Sequence, residues 1–294
     1  MRVRITHTTR YFYHRPVRFG PHQLVLRPRE GHDLAITEHH LHIEPAHAVT
    51  WLRDVHGNVI ASVSFAAAAS ELVIVNDVRV QRTAPFPTRQ LHVPFRLDWP
   101  PRYDPLESAM VNAYLTMQYP DELDELRDWL ATHFTPQTDD AEGSALALTR
   151  AVHSAIRYRR RMEKGVQSPQ QTLQLGSGSC RDMATLLMEV ARASGLAARF
   201  ASGYLHAAAS LTGNASTHAW VEMYLPQLGW RGFDPTMGEM VDARHIVTGV
   251  SHHPRGVMPV SGTFEGTAAD FVDLQVAVRT QEELQPTRSP APAA

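Results

Sequence analysis

The sequence holds a single cysteine among 294 residues, which excludes an internal disulfide framework and any zinc site built on several thiolates. Lys164 is its sole lysine, so nearly all positive charge is arginine and almost no side-chain amine is available for self-crosslinking. No run approaches the ~18 apolar residues of a membrane span. The first twenty residues, MRVRITHTTRYFYHRPVRFG, lack the continuous apolar stretch of a secretory signal, so a cytoplasmic setting is expected. A formal net charge of −2 is too small to hold nucleic acid or an anionic membrane by counterion release, and neither partner is expected. HExxH, GxxxxGK(S/T) and GxSxG are absent too, which removes zinc proteolysis, P-loop hydrolysis and standard serine hydrolase chemistry.

What is present is a globular chain, 43% hydrophobic and 20% charged, long enough for one large domain or two ordinary ones. From Met1 to about Thr83 the pattern has period two, as in RVRITHTTRYFYH, LAITEHHLHIE and the pair VTWLRDV and VIASVSF around His56-Gly57-Asn58. This predicts antiparallel strands in a β-sandwich or curled sheet. Prolines at 85, 87, 94, 100, 101 and 105 then mark a connector over 84–105. Beyond it, Leu123, Leu126, Trp129, Leu130 and Phe134 share a helical face, a second helix is expected over roughly 144–158, and a third begins at Cys180 with Met183, Leu186, Leu187 and Val190 as its buried stripe. Strands resume as AARFASGYL, THAWVEMYL, GWRGFDP and DFVDLQVAVRT. The fold class is therefore α+β, an N-terminal β domain over 1–83 and a catalytic domain over 106–284 with helices first and an antiparallel sheet after. A Pro- and Ala-rich tail over 285–294 is expected to be disordered.

Cys180 follows LGSGS and opens a helix, where free N–H groups and the positive end of the macrodipole favour a thiolate over a thiol. Gly176 and Gly178 allow a tight turn before the helix and leave room for a substrate. A cysteine nucleophile needs a base to move its proton and a third group to orient that base. His218 begins THAWVEMYL and Asp234 ends WRGFDPT, and alternation puts His218, Trp220, Glu222 and Tyr224 on one face of their strand and Trp230, Gly232 and Asp234 on one face of theirs. For His218 to stand opposite Asp234, the hairpin must be centred near Pro226.

The segments GSGSCRDMATLLMEVARASGLAARFASGYL, THAWVEMYLP and GWRGFDPT resemble the core of the transglutaminase-like superfamily, relatives of papain-type enzymes in which Cys, His and Asp follow in that order. The match spans about Ala145 to Gly238, and residues 1 to about 83 resemble the β-rich N-terminal region of bacterial members. The resemblance implies Cys180 as nucleophile, His218 as general base and acid, and Asp234 as the residue orienting His218. Two positions depart from the family pattern: Met183 replaces a more usual aromatic after CRD, and Met237 replaces an asparagine after DPT. Both lie beside the three site residues and bear on substrate preference.

An acyl-transfer site also needs oxyanion donors. The Cys180 backbone N–H is one, and the second is open between Gln174, six residues upstream of the cysteine, and Tyr158. Trp220 either shields the imidazole or fills the core. His40, His42 and Glu44 could face one side of a strand as metal ligands, but on a sheet with one wet face they read as solvated residues, and neither metal nor cofactor is expected. The expected function is thiol-dependent acyl transfer on a protein or peptide amide, with hydrolysis ahead of transamidation. The rival is a catalytically silent binding or scaffold protein using the β domain. The oligomeric state is left open.

Overall fold

In the N-terminal run, Val3, Ile5, His7 and Thr9 are all at most 2% exposed while their neighbours are not, and they begin one long strand, β1 (Arg2–Leu24), whose alternation is later broken by register shifts between Phe12 and Val17 and between Phe19 and His22. Four strands follow: β2 (Leu34–Glu44), β3 (His47–Arg53), β4 (Val59–Phe65) and β5 (Ala69–Arg82). The computed structural model describes residues 1–83, 98–161, 163–212 and 217–283. Most of the expected connector, 84–97, and the expected disordered tail lie outside them.

The helical part comprises α1 (Ser108–Leu115), α2 (Leu123–His133) and α3 (Ala141–Ala155), the two-residue strand β6 (Arg157–Tyr158), α4 (Pro169–Leu175), the short β7 (Ser177–Gly178) and α5 (Cys180–Ala193). The second sheet has β8 (Ala198–Leu205), β9 (His218–Leu225), β10 (Gly229–Asp234), β11 (Glu239–Met240) and β12 (His245–Ser251), in the order β11-β10-β9-β8-β12. Among the described residues no helix is long and apolar enough to cross a membrane.

The last two strands, β13 (Val260–Glu265) and β14 (Phe271–Glu282), correct the expectation that DFVDLQVAVRT closes the second sheet. Both pair with β1. The first half of β1 has β5 along one edge and β14 along the other, and its second half pairs with β4 and β13, so this single strand runs through both arms of a curled seven-stranded antiparallel sheet. Strand alternation tells which residues face inward but not which edge a strand joins. The chain thus returns to its N-terminal sheet after building the second one.

The core of the second part forms where α5 lies on the sheet. Met183, Leu186, Leu187 and Val190, the stripe read from periodicity, are at most 1% exposed and pack with Ala219, Val221 and Met223 of β9. The two halves of the chain are locked by polar side chains reaching across. Asn58, in the turn between β3 and β4, accepts from the Val250 N–H (2.9 Å) and donates to the Val250 carbonyl (2.8 Å), extending β12 by a side-chain amide. Tyr204 of β8, fully buried, donates to the Leu26 carbonyl at 3.1 Å.

Candidate active site

The site begins with how α5 is started. Arg157 and Tyr158 pair in parallel with Ser177 and Gly178, bringing the end of α3 alongside the loop ahead of the cysteine. Gly176 caps α4 at φ +55°, a left-handed conformation that glycine adopts without penalty. At Gly178 the constraint is space, since a Cβ there would sit 2.8 Å from the Asp182 Cβ.

Asp182, in the first turn of α5, is the anchor. One of its oxygens accepts from the Gln167 N–H (2.8 Å), the other from the Ser179 N–H (2.8 Å) and hydroxyl (2.7 Å), and Arg161 Nη1 binds both, at 2.8 and 2.9 Å. Burial acts to raise its pKa, but these donors outweigh burial and hold the carboxyl below its usual range. The helix start is thereby tied to Gln167, Ser179 and Arg161, and Cys180 sits at its first position, partly exposed.

His218 opens β9, and its Nε2 lies 2.7 Å from Oδ2 of Asp234 at the end of β10. Cys180 stands close enough to the same imidazole to help raise its pKa. The three residues read from the sequence therefore come together at one place, with His218 and Asp234 hydrogen-bonded and Cys180 beside the imidazole. Burial disfavours the imidazolium, yet the hydrogen bond to Asp234, its charge and the nearby Cys180 hold the pKa up to about 10. Asp234 is fully buried, which by itself would raise its pKa, but the bonds from His218 and His245 leave it well below the usual carboxylate range.

The hairpin register, open in the sequence, falls one residue from the one that would set His218 directly opposite Asp234. Gly229 pairs with Leu225 and Trp230 with Tyr224, so the hairpin is centred on Gln227, at φ +67°, and not on Pro226. That register puts Asp234 level with Trp220, two residues along from His218. The diagonal neighbour on the same face remains within side-chain reach, so the bond forms across the strands at a slant.

His245, with its partner Asp242, is the site residue that sequence reasoning missed. Its Nε2 lies 3.1 Å from Asp234 Oδ2, the oxygen His218 already uses. Burial opposes its protonated form, but bonds to Asp234 and Asp242 raise its pKa. β11 and β12 lie at opposite edges of the sheet, so residues 241–244 must cross its face, and Val241 packs there with Trp220, Ala201 and Val250. The only local signal was Asp242 and His245 three residues apart ahead of an apolar strand. Trp220 itself is fully buried, with its ring edge-on to His245 at 5.2 Å.

The remaining candidates separate. Tyr158 stands beside the site: burial first, and then the charge of Cys180, raise its phenol pKa. Gln174 lies on the exposed side of α4. His40 and His42 are solvated on β2, bonded to Glu38 and Glu44 at 3.0 Å each. Among the described residues, His218, Asp234 and His245 form the group whose ligand atoms lie within 4.8 Å of one another. Those atoms are already bonded to each other as a hydrogen-bonded chain, which this geometry explains without a metal.

Comparison with known proteins places these features. Residues 3–81 match the family described as the bacterial transglutaminase-like N-terminal region, and residues 128–235 match the transglutaminase-like superfamily. An uncharacterized protein of Mycobacterium tuberculosis is 28% identical over 290 residues, covering 94% of this chain and 92% of its own. One from Mycobacterium leprae is 26% identical over 294 residues, covering 94% and 98%. A crystal structure of a protein from Cytophaga hutchinsonii, described as a candidate cysteine protease, superposes with a TM-score of 0.71 at 16% identity over 97% of this chain and 93% of that one, a likeness of fold.

Proposed function

This chain belongs to the transglutaminase-like superfamily, with the bacterial N-terminal region ahead of the core, and from that premise we propose that it is a thiol hydrolase of peptide or protein amides. The observation that carries the reading is His218 bonded to buried Asp234 at 2.7 Å, with a cysteine at the first position of a helix close enough to help raise the imidazole pKa. The Cys180 sulfur attacks the amide carbonyl to form a tetrahedral intermediate. The imidazolium of His218 then gives its proton to the departing amine, the C–N bond breaks and a thioester remains. Water, deprotonated by the now neutral His218, attacks the thioester and releases the acid and the thiol. Asp234 holds the imidazole in place throughout and offsets its positive charge.

The oxyanion is stabilised by the Cys180 backbone N–H, which has no partner within its helix, and by the Tyr158 hydroxyl. Hydrolysis is favoured over transamidation because Cys180 is only partly buried and Tyr158 is 51% exposed, so water has access to the thioester. No cofactor enters these steps.

The test is a library of peptide and simple amides incubated with and without a primary amine and read by mass spectrometry, with Cys180→Ala as control. Acid products in both conditions, lost in Cys180→Ala, are expected. Amine adducts replacing the acid would make the protein a transamidase, and products that persist in Cys180→Ala would overturn the reading. Tyr158→Phe is expected to lower kcat by about 10²–10³, the usual effect of one oxyanion donor.

A further inference from the structure

We propose that His245 is a positioning residue that clamps the Asp234 oxygen shared with His218 and thereby keeps His218 aimed at Cys180. This role presupposes that Cys180, His218 and Asp234 perform acyl transfer. The Asp234 carboxylate has three N–H donors: the backbone N–H of Thr236 on Oδ1 at 2.8 Å, and His218 and His245 on Oδ2 at 2.7 and 3.1 Å. Thr236 alone would leave the carboxylate free to turn about its Oδ1 contact. His245 closes the opposite side, its ring 6.0 Å from that of His218 and wedged against Trp220.

The clamp survives a change in the charge of His245. Its Nδ1 lies 3.3 Å from the backbone N–H of Asp242 and 3.3 Å from Asp242 Oδ1. The neutral ring accepts from that N–H, and the charged ring donates to that carboxylate. In both states the Nε2–H stays on Asp234. Asp242 is in turn fixed by Arg244, whose Nε reaches it at 2.7 Å and whose backbone N–H reaches it at 2.8 Å. The ionisable groups around the clamp are Asp234, Asp242, His218 and Arg244, with Arg82 on the His245 backbone and Cys180 near His218.

Cys180 is the only thiol in the chain, so its alkylation by iodoacetamide reads the site without a substrate. The rate is measured against pH, and the alkaline inflection reports loss of the His218 proton. In His245→Ala, Asp234 turns away from His218, and the inflection falls by roughly one unit or more toward that of Asp234→Asn, in line with losing an adjacent opposite charge. His245→Gln, whose amide N–H reaches Asp234, restores most of the wild-type profile, while the shorter His245→Asn does not. The Gln and Asn pair decides the matter if the alanine variant does not fold, and thermal midpoints are recorded for all three. An inflection that stays or rises in His245→Ala or His245→Asn overturns the positioning role and leaves the acyl-transfer reading intact. A His218→Ala protein that alkylates as fast as wild type overturns both.

Discussion

Arg82, the last residue of β5, donates from Nη2 to the backbone carbonyl of His245 at 2.7 Å, and from Nε to that of Ala243 at 3.2 Å. Its Nη1 is held by Asp33 at 2.7 Å. One arginine thus ties the N-terminal sheet to the segment that crosses the second sheet beside the candidate site. The β-rich region thereby braces the shoulder of the site from behind.

Replacing Arg82 with Met keeps the apolar stem and removes the brace. Two carbonyls lose their donor, each at a typical cost of ~1–3 kcal/mol when buried. The expected result is a lower urea midpoint together with slower Cys180 alkylation. A variant with wild-type values for both would show that the brace is dispensable.

The pH dependence follows from the charges on the row. His218 keeps its proton up to about 10, so acylation, which needs the imidazolium, should hold through neutral pH and decline as pH rises through about 10. Because this pKa lies above the usual 6.5, its contribution to stability is complete below 6.5 and is lost as pH rises through 10. Asp234 has the opposite sign: its contribution is present above 3.8 and is lost as pH falls through its depressed folded value. Rate profiles and denaturant midpoints across pH measure both. In Asp234→Asn the alkaline limb should move down toward the ordinary histidine range.

Asp182→Asn leaves Arg161, 10% exposed, facing a neutral amide that cannot accept all the bonds the carboxylate accepts. Breaking a buried pair on one side typically costs ~3–5 kcal/mol. The predicted outcome is a drop of that size in unfolding free energy, with Cys180 alkylation slowed because the first turn of α5 is no longer fixed. Intact stability would mean that the Ser179 and Gln167 contacts contribute little.

Asn58→Ala removes both bonds to the backbone of Val250. A loss of ~2 kcal/mol or more in denaturant titration is expected. Amide exchange at Val250 should accelerate in this variant, and exchange at the wild-type rate would show that β12 is held by its pairing with β8 alone.

Much of the site was readable in one dimension. A glycine-led helix start marked Cys180, the resemblance to the transglutaminase-like core pointed to His218 and Asp234, and strand alternation put those two on faces from which they meet. These are local properties, set by helix-terminal electrostatics and by the two-residue period of a strand. The buried stripe of α5 was legible for the same reason. Gln174 shows the limit of spacing alone, since a residue six positions upstream sits on an exposed helix face while Tyr158, farther away in sequence, reaches the sulfur's surroundings through the β6–β7 pairing.

The amino-acid order by itself determined most element types and the inward faces, because each depends on neighbours within a few positions, and its resemblance to a known family pointed to Cys180, His218 and Asp234. Only the tertiary structure decided that the hairpin turns on Gln227, that β14 returns to β1, that Asn58 and Arg82 bind the two sheets together, and that His245 shares the oxygen of Asp234. The physical reason is that a strand's period says which way a side chain points, whereas its edge partner and the groups it meets across the sheet are chosen by burial and hydrogen-bond satisfaction over the whole chain.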